Sequence, residues 1–208
     1  MKGLTQLASQ RLDDGLQLCS EIRHGNWPGI LKETIIAEQV DLVVIPKGRR
    51  RISDALLNRI NISRLVQQSG CTALMVTRSF NAHHMENIVV PVHGILPVKK
   101  LVAATYVSME SNGHIYLMGN ENRLRGQDQD SLFKAYHLLS EYSRCRVHCA
   151  LKESDDVAGN TLAFAKDVKA NLIVVEANGE AGLKGWWNRM LGRQLYGESD
   201  IPVLTVAH

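Results

Sequence analysis

The chain has 208 residues, of which 45% are hydrophobic and 22% charged, and its formal net charge is +3. That balance suits a globular protein with a real core, and the charge is too small to argue for a nucleic acid or membrane partner. No apolar run is long enough to cross a bilayer, and residues 1–15 lack an apolar signal core, so a cytoplasmic protein with no membrane span in this chain is expected.

In chain order, the first strong signal is the apolar run Asp41-Leu-Val-Val-Ile, which reads as a buried strand. Lys47, Arg49, Arg50 and Arg51 follow it, with Arg59 further on. This is the strongest charge cluster, either a solvated loop or an anion site for a phosphate, a nucleic acid backbone or an anionic lipid; the solvated loop is the default, and no nucleic acid partner is expected. A second apolar strand is Cys71-Thr-Ala-Leu-Met-Val. Residues 81–86 read as a linker; the adjacent His83 and His84 point in different directions and lack the Cys or acidic neighbours of a metal site.

From Asn87 onward, strands and helices alternate. Strands are expected at Asn87–Val92, His114–Met118, Arg146–Leu151, Asn171–Val175 and Pro202–Val206. Helices are expected at Leu96–Met109 (with Pro97 in the first turn), Ser131–Tyr142 (with Ser131 as N-cap), Asp155–Lys169 and Leu183–Tyr196. Near-continuous apolar strands that alternate with helices predict a parallel sheet covered on both faces, and right-handed crossovers make it doubly wound. Cys19, Cys71, Cys145 and Cys149 form no C-x-x-C pair and are expected to be reduced, buried thiols. Of the adjacent Trp186 and Trp187, core packing of one and partial exposure of the other is the default. No nucleophile elbow or Walker loop is present, so no catalytic residues are assigned.

The chain also matches itself. Displaced by 130 residues, Asp41-Leu-Val-Val-Ile lies on Asn171-Leu-Ile-Val-Val, Leu57-Asn58-Arg59-Ile60 on Trp187-Asn188-Arg189-Met190, and Leu74 on Leu204, without a gap from 41–78 to 171–208. Upstream, Cys19 falls on Cys149. Residues 87–208 then form a complete repeat, and residues 1–80 the C-terminal half of another.

These residues resemble the universal stress protein (UspA-like) family. The features that carry the likeness are Asn87-Ile-Val-Val-Pro-Val-His-Gly, Asn171-Leu-Ile-Val-Val, Leu183-Lys-Gly-Trp-Trp-Asn-Arg-Met-Leu and Ile201-Pro-Val-Leu-Thr-Val. The resemblance implies an α/β, doubly wound, five-stranded parallel sheet of order 3-2-1-4-5, here one complete copy plus a half copy. It also implies pairing through the last strands, 71–77 and 202–206, within one chain or between copies in a homo-oligomer. The half copy would retain strands three to five, and strand three would lack neighbours. Either a longer parent chain, which is favoured, or a second chain would supply the missing strands, or this piece is rearranged.

Many family members bind ATP where the strand order reverses, through a loop G-x2-G-x9-G-[ST] after strand four. Gly179, Gly182 and Gly192 reproduce the spacing but begin three residues late. The motif positions fall on Glu176, Gly179, Arg189 and Met190, and in the first copy on Pro46, Arg49, Arg59 and Ile60. His93 stands where the family has an acidic residue after strand one. Pro91, Val92, His93, Met118, Glu176, Gly179, Arg189 and Met190 are therefore expected to form a vestigial nucleotide site with no cofactor. A carboxylate at Glu176 would oppose a polyphosphate by on the order of several kcal/mol. The expected function is a non-catalytic regulatory module with a protein partner. The alternatives are an ATP- or AMP-binding stress protein and the cytosolic regulatory tail of a cation/proton antiporter.

Overall fold

The computed structural model describes residues 19–46, 62–77, 80–109, 111–120, 127–152, 157–177 and 201–207. In chain order these form α1 (Trp27–Ala37), β1 (Leu42–Pro46), α2 (Ile62–Ser69), β2 (Thr72–Val76), β3 (Asn87–Pro91), α3 (Val98–Ser108), β4 (His114–Asn120), α4 (Gln127–Tyr142), β5 (Arg146–Lys152), α5 (Val157–Asp167), β6 (Leu172–Glu176) and β7 (Val203–Val206). Among them, no helix is long and apolar enough to cross a membrane.

The twelve elements form an α/β fold around one seven-stranded sheet of order β1-β2-β7-β6-β3-β4-β5. The expected five-stranded sheet is thus enlarged by two strands. Within it, the strands of 87–208 run β5-β4-β3-β6-β7, which is the order 3-2-1-4-5. All neighbours are parallel except β2 and β7, which run antiparallel with Ala73 opposite Thr205, Leu74 opposite Leu204 and Met75 opposite Val203.

β1 is an edge strand. The Thr72 N–H donates to the Asp41 carbonyl. Alternation then turns the backbone groups of Leu42, Val44 and Pro46 away from β2, where the missing proline N–H breaks no ladder. Residues 19–26 contain no strand, which corrects the expectation of a third strand in the first copy. Such a strand would have had no neighbour to satisfy its backbone.

Strand alternation divides the core into two layers. On one face, Ile45, Ala73, Met75, Val89, Ile173, Val175 and Val203 pack with Ile35, Val66 and Phe164 from α1, α2 and α5. On the other, Ile88, Val90, Ile115, Leu117, Leu172, Val174, Leu204 and Val206 pack with Leu101 and Ala104 of α3 and Leu132, Ala135 and Leu139 of α4. The central strands β6 and β7 are buried on both faces, which explains why they carry no polar alternation.

Several boundaries and environments differ from expectation. α4 begins at Gln127, so Ser131 is not its N-cap; it lies buried inside the helix, and its hydroxyl donates to the Gly94 carbonyl at 2.5 Å. Pro97 is the residue before α3 rather than inside its first turn. α5 ends at Asp167 because Lys169 turns the chain with φ +52°. Only Cys71 of the four free thiols is fully buried; Cys19 and Cys149 are exposed, the latter because β5 is the other edge of the sheet. His83 and His84 are exposed, and no group of three potential metal ligands occurs among the described residues.

The rings of His114, Tyr116 and His148 stack across β4 and β5, and His114 Nδ1 lies 2.8 Å from His148 Nε2. One of those two nitrogens must be bare for the hydrogen bond to exist. Partial burial, then the neighbouring His114 and Arg146, push the His148 pKa below its ordinary value. A base whose folded pKa is depressed binds more protons when unfolded, so stability is full above the unfolded pKa and declines as pH falls below about 6.5. Thermal melts between pH 7.5 and 5 are expected to show this decline, and His148→Gln to flatten it. An unchanged slope in His148→Gln would assign the acid sensitivity elsewhere.

Candidate functional site

The chain leaves β3 toward β4 and β5 on one side, then returns through α5 to β6 on the other. The strand order therefore reverses between β3 and β6, and the crevice at their C-terminal ends is the default ligand site of such a sheet. The β3–β6 ladder pairs Ile88 with Leu172 and Val89 with Ile173 and goes no further. Pro91 has no N–H with which to extend it.

The structure brings five of the expected residues to this edge. Pro91 lies in register with Met118, and the Val92 N–H donates to the Met118 carbonyl at 2.8 Å. Val92 and Met118 are each only 1% exposed. Both ring nitrogens of His93 are shielded from solvent. Glu176 ends β6 and is 6% exposed. It shares strand parity with Leu172 and Val174, which places its side chain on the face covered by α3. Gly179, Arg189 and Met190 lie outside the described residues, as do Gly182, Gly192, Trp186, Trp187 and the expected helix 183–196. The basic cluster of Lys47, Arg49, Arg50, Arg51 and Arg59 also lies outside them; β1 ends at Pro46, immediately before Lys47.

Three groups at this edge were not anticipated. Lys100 of α3 is 2% exposed, and its Nζ donates to the Pro91 carbonyl at 2.7 Å, beside the point where β3 and β6 part. Asn120, the last residue of β4, is 3% exposed. Gln67 of α2 donates from Nε2 to the Ala177 carbonyl at 2.9 Å, so the N-terminal part of the chain reaches the loop after β6. Lys100 was findable in principle: it falls on the i, i+4, i+8 stripe with Ala104 and Ser108, all buried. Its charge masked that position.

The loop after β3 is held by its own neighbours. Gly94 takes φ +68°, a conformation that glycine adopts without strain. Ser131 binds its carbonyl, and Lys100 binds that of Pro91. The crevice is therefore built from an ammonium, a carboxylate, an imidazole and an amide that are all withdrawn from water. Such groups are held by internal pairing rather than hydration.

No protein-family model matches the chain, and no curated protein matches it in sequence. Solved structures do. A universal stress protein from Archaeoglobus fulgidus superposes over 100% of this chain and 75% of its own, with TM-score 0.71 and 14% identity. A protein of unknown function from Pseudomonas aeruginosa PAO1 matches over 99% of this chain and 77% of its own, with TM-score 0.61 and 16% identity. A Pseudomonas aeruginosa UCBPP-PA14 protein ascribed to the universal stress proteins gives TM-score 0.63 at 15% identity, over 99% of this chain and 77% of its own. At such identities the likeness is one of fold, and this chain has the fold of the universal stress proteins.

Proposed function

We propose that the chain is a universal stress protein-like regulatory module that acts through a protein partner rather than by catalysis. In this reading, residues 87–208 are a whole repeat and residues 1–80 are the C-terminal half of another. The antiparallel β2–β7 seam is then the contact between the last strands of the two repeats, a pseudo-dimer within one chain.

The observation that carries the reading is the state of the β3–β6 crevice. A nucleotide there would need open backbone donors and room for phosphate. Among the described residues, the chain sets the Lys100 ammonium on the Pro91 carbonyl, the Ser131 hydroxyl on the Gly94 carbonyl and the buried Glu176 carboxylate at the end of β6. His93 adds a shielded imidazole where the resembled family has an acid.

Calorimetric titration of the purified chain with ATP and with AMP tests this, together with mass spectrometry for co-purified nucleotide. No saturable heat up to about 1 mM ligand, a level at which even weak binding of ~4 kcal/mol would register, is the expected result. Saturable micromolar binding would overturn the vestigial-site reading and make the chain an adenine-nucleotide-binding member.

A further inference from the structure

α3 is apolar on two sides. On the inner side Leu101 and Ala104 are buried against the sheet, and Lys100 turns inward to the Pro91 carbonyl. On the outer side Val98, Val102 and Tyr106 follow one another at one-turn spacing, and Met109, the C-cap residue in helical conformation, continues the row. Ile95 stands just ahead of the helix, and Tyr142 of α4 flanks it. These six side chains are 50–80% exposed. Lys99 is the one charged residue on the exposed side of α3, because Lys100 is the only other charge in the helix. A helix that is apolar all round belongs under cover on both sides.

The outer row also borders a groove. Val102, Tyr106 and Met109 of α3 and Leu138, Leu139 and Tyr142 of α4 wall a hollow of about 280 Å³ between the C-terminal halves of the two helices. Large apolar side chains gathered in one contiguous patch mark an interface, whereas scattered ones do not. Six of them, each half or more exposed, offer apolar area on the order of the 800 Å² that each partner of a standard interface buries.

The row itself selects the occupant. It is symmetric about Val102: Val98 lies one turn before and Tyr106 one turn after, and Ile95 and Met109 stand at equal sequence separations beyond them. A two-fold axis at Val102 therefore sets two α3 helices antiparallel, with Val98 of each against Tyr106 of the other, small against large, and Ile95 toward Met109. The same operation puts Lys99 across from Thr105 of the other copy, whereas a parallel pairing would put Lys99 against itself. Such self-complementarity is what an isologous contact requires. We propose that the outer face of α3, with the groove beside it, is an interface to a second copy of this chain. It uses neither the β2–β7 seam nor a nucleotide in the β3–β6 crevice, so the outcome of the nucleotide titration does not decide it.

Sedimentation equilibrium of the full chain, from about 1 to about 300 µM, tests this. A reversible dimer with a micromolar dissociation constant is expected. Val102→Glu sets two carboxylates face to face on the axis and is expected to weaken the dimer more than about tenfold. Tyr106→Lys, which removes the large side chain from the Val98 pocket of the other copy, is expected to do the same. Both positions are exposed in the single chain, so the melting temperature at concentrations below the dissociation constant is expected to stay unchanged. A monomer across the whole range would overturn the proposal and leave the groove to a helix of a different protein. A dimer that remains as tight in both variants would equally overturn it and move the contact to another surface, such as the open edge of β1 or β5.

Discussion

Leu204→Asp is expected to lower the melting temperature by roughly 10 °C or more. Leu204 is 6% exposed on β7, in register with Leu74 of the antiparallel β2 on one side and Val174 of the parallel β6 on the other. Its side chain belongs to the layer that includes Ile88, Val174 and Val206. A carboxylate introduced there would displace an aliphatic side chain among Ile88, Val174 and Val206. A single buried, unpaired charge costs on the order of 4 kcal/mol or more. For a chain of this size each kcal/mol corresponds to about 2–4 °C. Leu204→Met, which conserves volume and polarity, is expected to cost under about 1.5 kcal/mol and serves as the packing control.

The consequence reaches beyond one side chain. The β2–β7 pairing is short, with only three register pairs, and it is the one antiparallel join in the sheet. The layer under α1, α2 and α5 crosses that join: Ala73 and Met75 of β2 share a cluster with Val203, Ile173 and Phe164. Loss of the join should therefore expose both parts of the core together, and differential scanning calorimetry is expected to show one cooperative transition shifted downward. A Leu204→Asp melt that overlays the unsubstituted chain would mean that β2 and β7 do not share a core in solution, and the pseudo-dimer reading would fall with it.

Much of this fold was legible in the sequence because it depends on patterns that survive substitution. The apolar runs at 42–45, 88–90, 172–175 and 203–206 are strands for the reason they look like strands: both faces are covered. The self-match at a displacement of 130 residues aligned β1 with β6 and β2 with β7, and the structure places these strands about the antiparallel join. Extension of the match to Cys19 did not hold, because a sheet strand needs a neighbour and residues 19–26 have none. Ser131 was misjudged for a related reason. A serine before an apolar stripe resembles an N-cap, but here a partner from another element, the Gly94 carbonyl, takes its hydroxyl. The cysteines were judged by residue type alone, and a residue type does not report that β5 lies at an edge. Pro91, His93 and Glu176, which sequence reasoning assigned to the crevice, lie at the C-terminal ends of β3 and β6, yet the most buried cation there was missed, since Lys is read as a surface residue unless its helical register is followed.

That cation carries the second large expected effect. Lys100 Nζ reaches the Pro91 carbonyl from a position only 2% exposed, and Glu176, 6% exposed, projects onto the same face of the sheet. A buried ammonium and a buried carboxylate on one face are tolerable when each offsets the other. Lys100→Met keeps the hydrocarbon stem and removes the charge. It is expected to cost about 3 kcal/mol or more, from the Pro91 carbonyl left without its donor and from the loss of a cation on the face that carries the Glu176 carboxylate. Glu176→Gln is expected to be damaging for the mirror-image reason. The double variant removes both charges and should be less destabilised than the sum of the two single variants by over about 1 kcal/mol, the mark of residues in one polar unit. Denaturant unfolding of the four proteins in this cycle measures that coupling directly. Strict additivity would mean that Lys100 and Glu176 answer to separate partners, and the crevice would no longer be a unit closed by the chain's own charges.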